Sequence, residues 1–325
     1  MYVTDGLSAE ENDSFLGDND DDYGDAEEED DDFDHYEGDS GSSEDFDSWV
    51  DVEPGYAVDD IPFIGHPGFN AINDPHDSPI ELFKLFLTDD IISVLVMETN
   101  RYADQFLNGP NSTPDIRRLY RQYIPTNNAE MNKFLGIVLL MGYVRKPKIS
   151  DYWETDPVAE VPFIRKVLSR TRFQHLMKFL HCDSNGPTFV GDRLYKFRHI
   201  QEMLLQQFMT VYTPKQQICI DEEIMLWRGR LAFRTYLPGK RNKYGVKLYV
   251  LCEPSGYVYN FVVYSGRHDS VPGFNKSESA VLVLMDSLLD KGYELYIDNY
   301  YTSYNLVSEL LRRQTTVVGT LRAQR

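Results

Sequence analysis

Two acidic residues each stand directly after a short apolar run: Asp221 follows Ile218-Cys219-Ile220, and Asp298 follows Leu295-Tyr296-Ile297. Runs of this kind read as strands, so each carboxylate projects at the rim of a sheet. If the two strands are neighbours, the pair could share hard divalent cations such as Mg²⁺, whose oxygen ligands suit phosphate chemistry. An Asp after a strand also serves as a turn-former or a cap, and for each residue taken singly that role stays open. Downstream of Asp221 comes a basic segment. Arg228, Arg230, Arg234, Lys240, Arg241, Lys243 and Lys247 follow Trp227 with no acid among them, interleaved with Tyr236 and Tyr244. Such a segment fits a track for phosphates with rings available for stacking. The competing reading is a solvated β-ribbon whose charges keep an exposed edge from aggregating. The acid pair close by favours phosphate contact.

The other candidate residues carry less. His175 and His181 are six apart on an expected helix and do not share a face, which favours packing over Zn²⁺ ligation. Trp153 and Trp227 read as core residues. The three cysteines, Cys182, Cys219 and Cys252, form no C-x-x-C pair and no zinc-ligand spacing, so they read as reduced thiols of an intracellular protein.

The elements that must position Asp221 and Asp298 follow from periodicity. Residues 61–215 read as mostly helical. Thr88 caps a helix with Asp89 and Asp90 in its first turn, and Asn128 and Glu130 open another. In that second helix Phe134, Leu135, Val138, Leu139 and Met141 cover so wide an arc that burial on most sides is expected. Further helices are expected at about 162–181 and 192–212. From residue 216 the pattern switches. Strands at 218–220, 244–252 and 257–264, the last two joined by a turn at Pro254 and Gly256, precede an amphipathic helix after Ser277. A strand ending at Asp298, a helix capped by Thr302 or Ser303, and a strand from Thr315 to Leu321 complete the order β-β-β-α-β-α-β. That order implies a mixed sheet flanked by helices.

The chain has 325 residues and a formal net charge of −20, which looks hostile to nucleic acid until the charge is located. Residues 1–60 hold 25 Asp and Glu and no Lys or Arg, leaving 27 acids against 32 bases in the remainder. The first segment is therefore expected to be a disordered, solvated acidic tail, with competition against DNA for basic surface as the sharper alternative. No stretch approaches the ~18 consecutive apolar residues of a membrane helix, and the acidic N-terminus is unlike a signal peptide or mitochondrial presequence.

Several ordered blocks resemble the piggyBac transposases and their domesticated derivatives. They are Ile220-Asp221-Glu222-Glu223 with Arg228-Gly229-Arg230, Tyr236-Leu237-Pro238-Gly239-Lys240 and Lys243-Tyr244-Gly245-Val246-Lys247. Further on come Tyr296-Ile297-Asp298-Asn299-Tyr300-Tyr301-Thr302-Ser303 and Val317-Val318-Gly319-Thr320-Leu321-Arg322. Upstream, residues 134–146 and Tyr152-Trp153 are similar to the family's helical dimerisation and DNA-binding domain. The resemblance implies an α+β fold: a mostly helical region over 61–215, then a partial RNase H-like mixed α/β core of the DDE transposase type over 216–325. It implies that Asp221 and Asp298 are the first and second of three catalytic aspartates holding two divalent metals, Mg²⁺ or Mn²⁺. One metal would activate the attacking water or 3′-hydroxyl, and the other would stabilise the leaving 3′-oxygen. The implied partner is double-stranded DNA at transposon ends, bound by a nuclear protein able to form a homodimer, with no small-molecule substrate and no membrane contact.

The family continues, beyond the position matching Arg325, into an insertion domain, a helix with the third aspartate and a cysteine-rich zinc-binding tail. This chain is accordingly expected to hold two of the three aspartates and no zinc site. Glu309, the sole acid after Asp298, falls seven residues into its helix, about 10 Å along the axis at ~1.5 Å per residue, and is not expected to serve as the third. Two functions remain in view: a cut-and-paste transposase whose strand cleavage needs more than this polypeptide, and a non-catalytic DNA-binding or chromatin-associated protein. An exposed apolar patch is expected around the last strand.

Overall fold

The computed structural model describes residues 61–70, 78–110, 112–183, 192–227, 229, 231–238, 243–266 and 271–321. The expected acidic tail lies outside the described residues. Those belonging to Ala57–Gly229 and Phe233–Arg325 form one compact unit, which contains two apolar cores.

The first core is helical. Helices α1 (Pro79–Phe86), α2 (Asp89–Asn108), α3 (Pro114–Leu119), α4 (Asn128–Tyr143), α5 (Pro162–Val167), α6 (Arg170–Phe179) and α7 (Tyr195–Val211) precede the main sheet. Side-chain caps set the starts of α2, α3, α4 and α6. Thr88 Oγ1 accepts from the Ile91 N–H at 3.4 Å, as its position before two acids implies. The cap of α4 is Asn127, whose Oδ1 accepts from the Glu130 N–H at 3.0 Å, one residue earlier than the sequence reading places it. The expected helix over 162–181 is two helices. Leu168 is extended between them (φ −148°, ψ 139°), and Ser169 caps the second by accepting from the Arg172 N–H at 3.3 Å.

Helix α4 corrects a second expectation. It buries one stripe, Met131, Phe134 and Ile137, against Ile91, Leu95, Phe173 and Leu176. Val138, Leu139 and Tyr143 are exposed, Leu139 by 60%. Leu135, Leu140 and Met141 are partly buried against the same core, so α4 packs through one broad face and leaves Val138, Leu139 and Tyr143 to the other side.

The second core lies on one face of a mixed sheet. A two-stranded ribbon of β1 (Gly68–Phe69) and β2 (Tyr212–Thr213) leads into it. Strand β5 (Tyr244–Cys252) runs antiparallel to both β3 (Gln217–Leu226) and β6 (Val258–Val263). The short β4 (Thr235–Tyr236) pairs with the start of β5. After α8 (Lys276–Met285) comes β7 (Glu294–Ile297), parallel to β3; after α9 (Tyr304–Arg312) comes β8 (Thr316–Gly319), parallel to β7. Across the sheet the order is β6-β5-β3-β7-β8. The expected β-β-β-α-β-α-β order is thus present, with β4 added. Gly256, at φ +90°, turns the β5–β6 hairpin, a backbone conformation that L side chains rarely adopt. At Gly245 a Cβ would stand 2.3 Å from the Met225 carbonyl oxygen across the ladder, so the close approach of β3 and β5 there requires glycine.

Ile218, Ile220, Tyr249, Leu251, Leu295 and Ile297 meet Val281, Leu284 and Met285 of α8 and Leu306 and Leu310 of α9. Alternation sends Cys219, Asp221 and Glu223 to the opposite face. There the expected apolar patch at the last strand is mixed. Val318 and Tyr296 are 46% and 37% exposed, but the Tyr296 hydroxyl donates to Glu294 Oε1 at 2.8 Å and lies 3.4 Å from Gln217 Nε2.

Two smaller expectations divide. Trp153 is core-packed, its Nε1 donating to the Leu168 carbonyl at 2.8 Å and its ring 5.0 Å from Phe173. Trp227, the residue after β3, is 44% exposed, its backbone N–H donating to the Tyr244 carbonyl at 3.4 Å. His175 packs against Tyr120 and Tyr123, and His181 stacks on Tyr102 at 3.8 Å. No helix among the described residues is long and apolar enough to cross a membrane.

Candidate active site and basic ribbon

The parallel pairing of β3 with β7 matches Ile220 to Ile297. Asp221 and Asp298 are the next residues on two adjacent strands, whose axes in any sheet lie about 4.8 Å apart. Both are exposed. Asp221 Oδ1 accepts from the Glu222 N–H at 2.8 Å, and Asp298 Oδ1 accepts from the Tyr300 N–H at 2.9 Å. Asp298 therefore also forms the turn that leads out of β7. The turn role and a ligand role are compatible, because a carboxylate has a second oxygen.

The loop after Asp298 is held from several sides. Thr302 Oγ1 donates to the Asp298 carbonyl at 2.8 Å, and Ser303 caps α9 by accepting from the Leu306 N–H at 3.2 Å. The Ser303 hydroxyl also donates to Glu278 Oε1. Glu278 is itself buried in the capping box of α8, where its Oε2 accepts from the Asn275 N–H at 2.8 Å. Tyr301 is fully buried and donates to Glu222 Oε2 at 3.3 Å. Burial, then the Glu222 carboxylate, push its hydroxyl pKa far up, so it stays protonated and remains a donor.

The sequence reading offered Ser303 as a cap of α9, as found, and missed the other supports, Glu278, Tyr301 and Glu222. Alternation alone assigns Glu222 to the face of Ile218 and Ile220, but the return of Tyr301 to that face depends on the loop.

Among the described residues no group of three or more His, Cys, Asp or Glu could hold a metal ion. Two carboxylates on adjacent strands have the oxygen chemistry that a hard divalent cation takes, and they fit such a cation as a partial ligand set. Glu309 lies on α9 and pairs with Arg312 at 2.6 Å, which holds its pKa below the usual value.

Of the basic residues predicted to meet DNA, Arg228, Arg230, Lys240 and Arg241 lie outside the described residues. Arg234 and Lys243 are exposed. The Arg234 guanidinium lies 5.4 Å from the Tyr244 ring centroid, and the Tyr236 and Tyr244 rings lie 4.6 Å apart across the β4–β5 ribbon. Lys247 is different. It is half-buried, with its ammonium 4.9, 5.1 and 5.7 Å from the ring centroids of Tyr249, Tyr300 and Tyr264, directly beside the Asp298 loop.

Residues 78–325 match the transposase family described as Transposase IS4. The chain is 25% identical over 264 residues to human PiggyBac transposable element-derived protein 2, covering 80% of this chain and 42% of that protein. It is 24% identical over 250 residues to human PiggyBac transposable element-derived protein 3, covering 75% of this chain and 40% of that one. It thus spans about two-fifths of the length of these curated relatives. Among solved structures, a cryo-EM structure of a piggyBac transposase synaptic complex with hairpin DNA superposes with a TM-score of 0.64 at 29% identity. That likeness covers 80% of this chain and 54% of the other. DDE-type transposases use divalent metal ions, which accords with the carboxylate pair. The family match over most of the chain and the shared RNase H-like fold lead to one conclusion: this chain belongs to the piggyBac family of DDE-type transposases.

Proposed function

We propose that this transposase-derived chain binds double-stranded DNA through the basic β4–β5 ribbon and presents Asp221 and Asp298 as two ligands of a divalent-metal site for strand cleavage and transfer. The observation that carries the reading is the Ile220–Ile297 register, which brings two distant carboxylates to one level of adjacent strands. Bound there, Mg²⁺ or Mn²⁺ would supply Lewis-acid activation of a water or 3′-hydroxyl at phosphorus. The chain's own residues hold the ligands in place. Tyr301 and Ser303 secure the Asp298 loop, while the β3 ladder secures Asp221. Arg228, Arg230, Arg234, Lys240, Arg241 and Lys243 supply the positive charge for phosphates, Lys247 is instead held among the Tyr249, Tyr264 and Tyr300 rings, and Tyr236 and Tyr244 offer exposed rings.

The described donor set holds fewer ligands than the cation needs, so metal binding should be weak and strand cleavage by this polypeptide alone is not expected. DNA binding does not need the metal, and the exposed Arg234–Tyr244 and Tyr236–Tyr244 contacts favour a second reading as a non-catalytic DNA-binding protein. Either function acts on chromosomal DNA in the nucleus, and a homodimer would place one core at each transposon end.

A gel assay with the element's own terminal repeat, Mg²⁺ or Mn²⁺, and the wild-type chain beside Asp221→Ala and Asp298→Ala tests the reading. Salt-sensitive binding without cleavage is the expected result. Absence of salt-sensitive binding would overturn the DNA-binding claim. Cleavage abolished by each substitution would show that the two aspartates suffice or that Glu309 serves as a third ligand.

A further inference from the structure

Cys219 and Cys252 lie directly opposite each other on antiparallel β3 and β5, and their Sγ atoms are 3.3 Å apart. Both are half-buried, so a small reagent can reach them. Their separation of 33 positions gives no motif in the sequence; register alone makes them neighbours. We propose that this pair is a modification site that closes to an intrachain disulfide when it meets a small-molecule disulfide of the glutathione class. The inference does not depend on the transposase reading.

Facing residues of an antiparallel pair have Cβ atoms about 4.5–5.5 Å apart, and a disulfide takes about 3.5–4.5 Å. Closure therefore needs side-chain rotation and a small approach of the strands. The register shift between Leu251 and Cys252 on the β6 side lets the end of β5 give locally.

The chemistry balances in two exchanges. One cysteine, as thiolate, attacks a sulfur of oxidised glutathione, forming a protein–glutathione S–S bond and expelling one glutathione thiolate. The other cysteine, as thiolate, attacks the protein sulfur of that mixed disulfide, forming the Cys219–Cys252 bond and expelling the second glutathione thiolate. The two electrons lost by the protein thiols reduce the glutathione disulfide, and their two protons pass to the glutathione thiolates. Burial, the Cys219 contact and the charges of Asp221 and Glu223 favour the protonated Cys252 thiol.

Closure would join the two strands at the base of the segment that carries the basic ribbon. It would also cross-link β3 two residues before Asp221, on the face where Asp221 lies.

The experiment incubates the reduced full chain with oxidised glutathione, alkylates the remaining thiols, and reads intact mass and peptide masses. Closure predicts a chain two hydrogens lighter, with Cys182 alone alkylated and Cys219 and Cys252 in one linked peptide pair. Cys219→Ser and Cys252→Ser should each stop at a glutathione adduct on the surviving partner, while Cys182→Ser should close as the wild-type chain does. Three alkylated thiols, stable glutathione adducts on the wild-type chain, or disulfide-linked dimers on a non-reducing gel would each overturn the proposal. The wild-type result stands on its own if a serine variant fails to fold.

Discussion

At the residue scale, Lys247 and Arg234 are both basic residues of one segment and occupy different surroundings. Arg234 is exposed beside the Tyr244 ring, whereas the Lys247 ammonium stands among three tyrosine rings next to the Asp298 loop. Arg234→Ala and Lys243→Ala should each reduce the salt slope of DNA binding by about 0.9 in log–log terms, the share of one phosphate contact. Lys247→Met should leave that slope nearly unchanged and cost ~1–2 kcal/mol of stability, since a desolvated cation–π contact is lost. Fluorescence anisotropy across a salt series and urea unfolding separate the two effects. His175 gives a second residue-scale expectation. Burial, then Arg172, lower its pKa below 6.5, so the unfolded chain binds a proton that the folded chain does not. Stability should therefore fall as pH drops below about 6.5, the unfolded value, and level off below the folded one. Glu130 acts lower down. Its hydrogen bonds with Arg172 depress its pKa below 4.5, so its contribution is present above 4.5 and is lost as pH falls through the folded value. Unfolding midpoints of the wild-type chain and His175→Gln from pH 7.5 to 5 should converge in slope only if another group controls that window.

At the element scale, caps and alternation carry most of the fold, and both were visible in the chain. Thr88 and the β-β-β-α-β-α-β order stand where the residue pattern places them. The misreadings have physical causes. Asn127 and Asn128 are the same residue type, and which one caps α4 is settled by backbone geometry: Asn127 is extended at φ −137°, ψ 171°. Asn127→Ala should cost about 1 kcal/mol and Asn128→Ala much less, as measured by thermal or chemical unfolding. Helix α4 looked buried on most sides because its apolar residues are many, yet burial depends on what packs against them, and periodicity does not report that. Ser303→Ala removes both the α9 cap and the donor to Glu278, which are adjacent to the Asp298 loop. It should cost ~2–4 kcal/mol, the sum of a cap and a charge-assisted hydrogen bond, in the same unfolding experiment.

At the scale of the whole molecule, the two aspartates were legible as residues, but their adjacency was conditional until β3 and β7 were seen to pair. The Cys219–Cys252 contact was invisible for the same reason: antiparallel register is a long-range property that no local spacing encodes. The account rests on Asp221 and Asp298 acting together as ligands. The direct measurement is a Mn²⁺ titration of the wild-type chain, with free ion followed by electron paramagnetic resonance, beside Asp221→Ala and Asp298→Ala. The account predicts weak, saturable binding to the wild-type chain that either substitution removes. No saturable binding to the wild-type chain, or binding that survives both single substitutions, would contradict it.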